Sequence, residues 1–113
     1  EILSHKIYFN VNKSILEKKY IKELDDIIDL MKNNPHLVCI VEGFADPSGS
    51  ENKNIKLSHD RAYNAYKYFI VNGISNKKIN YKAMGEDKID ESVNKEKYYK
   101  SRRVVIRLYS VNK

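Results

Sequence analysis

Leu37-Val38-Cys39-Ile40-Val41 is apolar at every position. An extended chain with this composition is apolar on both faces, so the segment predicts a central, covered strand over Leu37–Glu42. Pro35 lies before it and Gly43 after it, which confines the run to strand length. The rest of the chain has to supply the cover.

The flanking segments supply it in a regular order. Ile7-Tyr8-Phe9-Asn10-Val11 predicts a strand with Ile7, Phe9 and Val11 on one face. Ser14 and Glu17 form an S-x-x-E capping-box pattern, and Leu16, Tyr20, Leu24, Ile27, Ile28 and Met31 recur at helical spacing until Asn33-Asn34-Pro35 stops them. After the central strand, Gly43 to Ser50 reads as a loop, with Asp46-Pro47-Ser48-Gly49 suited to a type I turn. A second helix is predicted from Asn52 to Asn72, with Ile55, Ala62, Ala65, Tyr66 and Phe69 as its buried stripe and Gly73 as its stop. Lys78 to Met84 predicts a strand, Gly85 to Asn94 a polar loop, Glu96 to Lys100 a helical turn, Arg103 to Tyr109 the last strand, and Ser110 to Lys113 a frayed tail. The order β-α-β-α-β-(α)-β gives an α/β fold, an α+β sandwich with a mixed four-stranded sheet and helices packed on one face.

With 113 residues the chain is expected to form a single domain over 1–113. It begins Glu1-Ile2-Leu3-Ser4 without Met, and is expected to be excised from a longer protein. No apolar run approaches the roughly 20 residues of a membrane-spanning helix, and no signal-peptide pattern is present. The net charge of +6 permits an acidic partner, but it is spread along the chain without a block of like charges. Tyr63, Tyr66 and Tyr68 follow helical spacing rather than an RNA-binding strand motif, so nucleic acid is not an expected partner. Cys39 has no second cysteine and reads as a buried, inert thiol. His5, His36 and His59 have no metal-ligand spacing, and no nucleophile–base signature is present. No enzyme, no metal and no cofactor is expected.

The cations carry more information. Of 21 Lys and Arg residues only four are Arg: Arg61, Arg102, Arg103 and Arg107. A planar fork of donors is what guanidinium offers over ammonium. With Asn54 at zero on a helical wheel, Ser58 falls at about 40° and Arg61 at about −20°, in one narrow stripe expected to line a cleft. Asp46 leaves the central strand at its carboxyl end, where α/β folds commonly hold ligands. One carboxylate and one guanidinium facing a cleft suit a zwitterion; an internal Asp46–Arg61 salt bridge is the rival reading, and the pattern alone leaves both open.

Val41-Glu42-Gly43-Phe44-Ala45-Asp46-Pro47-Ser48-Gly49-Ser50, followed by Asn54-Ile55-Lys56-Leu57-Ser58-His59-Asp60-Arg61-Ala62, resembles the G-H-T-D-x-x-G and N-x-x-L-S-x-x-R-A motifs of the OmpA-like peptidoglycan-binding domain family. Phe9 to Ser14, Gly73-Ile74, Gly85-Glu86 and Arg102-Arg103-Val104 match further landmarks, so the resemblance covers nearly the whole chain. It implies non-catalytic binding of the meso-diaminopimelate in peptidoglycan stem peptides, with the essential Asp at Asp46 and the essential Arg at Arg61. It places secondary contacts at Asn12, Ser48, Asn54 and Arg102, and packing roles at Leu57 and Ala62. It implies a periplasmic domain tethering an outer-membrane or envelope protein to the wall, with other envelope proteins as further partners. Phe44-Ala45 stand where the family has His-Thr, Ser101 where it has Asn, and no Pro follows Gly85-Glu86. The first of these departures motivates a second expectation, a protein-interaction module of an envelope assembly with weakened or lost wall binding.

Overall fold

The computed structural model describes residues 1–47, 50–86 and 100–111. The apolar run does become an inner strand. β2 (Leu37–Ala45) lies between β4 (Arg103–Ser110) and β3 (Ile79–Glu86), and β1 (Leu3–Tyr8) flanks β4, giving the order β1-β4-β2-β3. β4 runs antiparallel to both β1 and β2, with Ile7 opposite Val104 and Val41 opposite Ile106. β2 and β3 are parallel, with Val41 beside Tyr81. A parallel pair needs a crossover, and α2 (Glu51–Val71) provides it. α1 (Ile21–Asn33) connects β1 to β2.

The strands alternate as a half-covered sheet requires. Ile7, Leu37, Cys39, Val41, Val104, Ile106 and Leu108 are buried in one core with Leu24, Ile27, Ile28 and Met31 of α1 and Ala62, Ala65 and Phe69 of α2. The mixed sheet with both helices on one face is therefore as expected from the sequence.

Several boundaries differ. The first strand is Leu3–Tyr8 rather than Ile7–Val11, because Asn12 turns the chain with φ 57° and leaves Val11 exposed. Asn accepts that left-handed conformation better than most residues. Ser14 and Glu17 do not cap α1: a short 3-10 turn, Lys18–Tyr20, intervenes, Tyr20 N–H donates to Glu17 O, and Ser14 O accepts from Asn64 Nδ2. The Ser14 segment is thus tied to α2, and α1 starts without a side-chain cap. α2 does start from a side-chain cap, with Ser50 Oγ accepting from Lys53 N–H at 3.2 Å. Ile55 is exposed rather than part of the buried stripe. β2 continues through Ala45 where a loop was expected, and Ser110 belongs to β4, while Val111 N–H donates to His36 O at 2.9 Å instead of fraying. The Ser48-Gly49 half of the expected turn, most of the loop after Gly85 and most of the helical turn before Lys100 lie outside the described residues.

Cys39 is buried on the core face of β2, and burial raises its thiol from 9.0 to about 12. A neutral thiol is a poor nucleophile. Cys39 should therefore resist alkylation in the native protein at mildly alkaline pH and react at once in denaturant. The same shift favours the folded state fully below pH 9.0, and this contribution is lost as pH climbs toward about 12, where the unfolded thiol ionises first. Native labelling at the rate of a free thiol would mean that β2 is not covered.

Candidate functional site

α2 touches β2 at one point of very close approach. Gly43 faces the helix, and a Cβ built there would lie 2.1 Å from Ser58 O and 2.9 Å from both Ala62 Cβ and Ala62 N. This approach carries the polar stripe of α2 inside the protein. Asn54, Ser58 and Arg61 are all buried, so they do not line an open rim as their spacing predicted. Ser58 Oγ donates to Ile55 O at 2.8 Å and accepts from Gly85 N–H at 3.0 Å, clasping α2 to β3. Asn54 Nδ2 donates to Glu86 Oε2 at 3.2 Å beside it.

Arg61 is 0% exposed, and each of its nitrogens donates to a backbone carbonyl. Nε reaches Lys13 O at 2.8 Å, Nη1 reaches Phe44 O at 2.9 Å and Nη2 reaches Asn10 O at 3.1 Å. The Phe9 ring lies against the guanidinium at 5.3 Å. One side chain thereby ties α2 to the end of β2 and to the Asn10–Lys13 turn, which is closed by Lys13 N–H donating to Asn10 O at 3.0 Å. The guanidinium is brought down to about 10, chiefly by burial, with Asp46 opposing the shift and Arg102 adding to it. It remains a cation at neutral pH.

Asp46 follows the last residue of β2 and is 6% exposed. Arg102 Nη1 stands 3.5 Å from Asp46 Oδ2, and Arg102 Nε donates to Phe9 O at 3.0 Å. Arg102 also lines a groove of about 280 Å³ with Tyr8, Tyr20, Glu17 and Lys19. The larger groove, about 530 Å³, lies at the other end of β2 around Val38, Ile40 and Lys78 and holds none of the expected site residues.

The sequence-derived site is thus brought together in part. Asp46, Arg61 and Arg102 converge at the carboxyl end of β2, two guanidiniums about one carboxylate. Partial desolvation strengthens every charge interaction there. Asn54 sits one element away with Glu86. Asn12 is an exposed turn residue on a separate groove with Lys53, Lys56 and Asp60. Ser48 lies outside the described residues.

The substitution at Phe44 is accommodated without disturbing Arg61, because Arg61 uses the Phe44 carbonyl, which any residue supplies. The Phe44 ring instead meets the Arg103 guanidinium at 4.0 Å. Ala45 points into the core and is fully buried. The three carbonyl partners of Arg61 were not foreseen. Their signal was present in the choice of Arg over Lys, since a multi-donor fork suits carbonyls as well as a carboxylate.

Comparison with known proteins agrees with this architecture. Residues 8–103 match the OmpA family. The chain is 33% identical over 101 residues to the peptidoglycan-associated lipoprotein of Buchnera aphidicola subsp. Baizongia pistaciae, covering 88% of this chain and 58% of that protein. It is 34% identical over 86 residues to outer membrane protein A of Klebsiella aerogenes, covering 74% of this chain and 25% of that protein. The chain therefore spans little more than half of one relative and a quarter of the other. Among solved structures, the peptidoglycan-associated lipoprotein of Burkholderia pseudomallei superposes with a TM-score of 0.85 at 17% identity, over 92% of this chain and 89% of that one. The C-terminal domain of Helicobacter pylori MotB gives 0.81 at 20% identity, over 94% and 84%. This chain belongs to the OmpA family.

Proposed function

We propose that this OmpA-family domain binds peptidoglycan without catalysis, through the meso-diaminopimelate of the stem peptide, and so tethers an envelope protein to the wall. The observation that carries the reading is the convergence of Asp46, Arg61 and Arg102 at the carboxyl end of β2. The distal carbon of diaminopimelate bears one ammonium and one carboxylate. Asp46 would take the ammonium. Arg102, at the mouth of the groove, would take the carboxylate by its planar fork, with Arg61 behind it adding positive potential and holding the surrounding backbone. The ligand carboxylate would add a second anion to the two guanidiniums beside Asp46. The names of the Buchnera and Burkholderia relatives support the same polymer as partner. No helix among the described residues is long and apolar enough to cross a membrane, so a tethering role would rely on a segment beyond them.

A variant at Asp46 tests this reading. Asp46→Asn keeps the volume and hydrogen-bond acceptor but removes the charge. Binding to a diaminopimelate stem peptide should fall by about 2 kcal/mol or more, roughly thirtyfold, as for one partner of a desolvated charge pair. Stability in a denaturant melt should fall as well, by about 1–3 kcal/mol, because Asp46 is buried and balances Arg102 and Arg61. Unchanged peptide binding would remove Asp46 from the site. A large stability loss with binding intact would make it a fold brace and favour an interaction module instead.

A further inference from the structure

Among the described residues β3 ends the sheet, and its outer side can be read from the backbone register. Cys39 N–H donates to Lys78 O at 2.8 Å, with Cys39 opposite Ile79 in the parallel register. The alternation of a parallel ladder then directs Asn80 and Lys82 main-chain groups toward β2 and those of Ile79, Tyr81 and Ala83 outward. The outward Tyr81 N–H is held by its neighbour's side chain, Asn80 Oδ1, at 2.9 Å. An aromatic ledge runs beside this edge. The Tyr81 ring meets His59 and Tyr63 at 5.6 Å each and Tyr66 at 4.7 Å, and Tyr63 is 39% exposed. Met84, on the same strand, is 46% exposed.

Charge selects the occupant. The stretch leading into and along β3 carries Lys77, Lys78 and Lys82 and no acidic residue before Glu86. Lysines along a free edge repel a second copy of the same edge and attract an acidic strand. We propose that the outer edge of β3 accepts an extended, acidic segment of a partner protein as a fifth strand, its backbone pairing with Ile79, Tyr81 and Ala83 and its apolar side chains lying on the Tyr63–Tyr66–Tyr81 ledge. Strand addition uses this division of labour, with main-chain bonds for affinity and side-chain surfaces for selectivity. The site shares no residue with the Asp46 cluster and stands independently of wall binding.

The probe is an end-capped peptide of alternating Val and Glu, with the Val–Lys peptide as its charge control. Titrated into the whole chain, the acidic peptide should bind and slow hydrogen exchange at the Ile79, Tyr81 and Ala83 amides, and the Val–Lys peptide should not. Ala83→Pro deletes an outward donor without touching the β2 ladder, and should weaken binding about tenfold or more. Asn80→Ala releases the Tyr81 N–H, and should tighten binding about threefold. These opposite shifts separate strand addition from general attraction to lysine. Equal binding of the Val–Lys peptide, or no new protection at the three amides, would overturn the proposal. So would protection already complete in the free protein, which assigns the edge to this chain's own residues, or a dimer through β3 in the absence of peptide.

Discussion

Gly43→Ala should cost about 4 kcal/mol or more, a large part of the 5–15 kcal/mol that a domain of this size usually has. The reason is space. The new methyl would sit 2.1 Å from the Ser58 carbonyl oxygen and 2.9 Å from backbone and side chain at Ala62. Both neighbours belong to the backbone of a long helix, so neither can rotate away as a flexible side chain would. Relief requires α2 to lift from β2 as a body, which exposes Ala62, Ala65 and Phe69 and stretches the Ser58–Gly85 clasp. Ordinary overpacking costs about 1–3 kcal/mol, and a clash against two backbones belongs above that range.

The control is Gly73→Ala. Gly73 has φ +100° but meets only the Lys32 ammonium at 3.1 Å and its Cε at 3.2 Å, atoms that can swing aside. Its cost is conformational, about 1–2 kcal/mol. Thermal melts of both variants separate the two effects. Pairing Gly43→Ala with Ala62→Gly should not restore stability, because the clash with the Ser58 carbonyl remains. A Gly43→Ala melt within a few degrees of the parent would show that the helix and strand are not in fact so close.

What the sequence disclosed follows from which interactions are local. The apolar run at Leu37–Val41 marked an inner strand from composition alone, although only Leu37, Cys39 and Val41 face the core while Val38 and Ile40 stay half-buried on the other side. The helical spacing of Leu24, Ile27, Ile28 and Met31 was equally plain, and all four are buried. The capping box failed because α1 starts only at Ile21, behind a 3-10 turn, while the Ser14 carbonyl is held by Asn64 fifty residues away, a bond that no local pattern encodes. Ile55 satisfied the helical period but falls toward the exposed edge near Gly85, where the sheet ends and provides no cover.

The same distinction governs the site. Asp46 and Arg102 meet across 56 positions of sequence, and only the recognisable motif spacing pointed to both before the fold was known. Gly43 gave no hint, because it was read as the start of a loop; only inside β2 does a glycine mark a close backbone approach. The polar stripe Asn54, Ser58 and Arg61 was correctly placed on one side of the helix. Its depth was not legible, because a wheel gives angles and not the distance to the next layer. That distance is set by Gly43, and it turned a predicted rim into an interior seam.

Arg61→Lys should destabilise the domain by about 3 kcal/mol or more and abolish the proposed peptidoglycan binding with it. The parent guanidinium supplies Nε, Nη1 and Nη2 to three carbonyls that come from two separate parts of the backbone. An ammonium is a single point on a flexible stem and cannot stand at three such positions together. At least two of the Lys13, Phe44 and Asn10 carbonyls would lose their Arg61 bond. A buried carbonyl left unpaired costs about 1–3 kcal/mol. The Asn10–Lys13 turn, which borders Phe9 and hence Arg102, would then lose its anchor to α2. A residue that only grips a ligand predicts the opposite pattern, with unchanged melts and lost affinity. Arg61→Met removes the charge and all three donors together while filling much of the volume, and should destabilise at least as much as Lys. The decisive measurement is a denaturant series on parent, Lys and Met variants beside a titration with the stem peptide. Parental stability in both variants would mean that the three carbonyl bonds carry no weight in the fold, and would return Arg61 to a role in ligand contact alone.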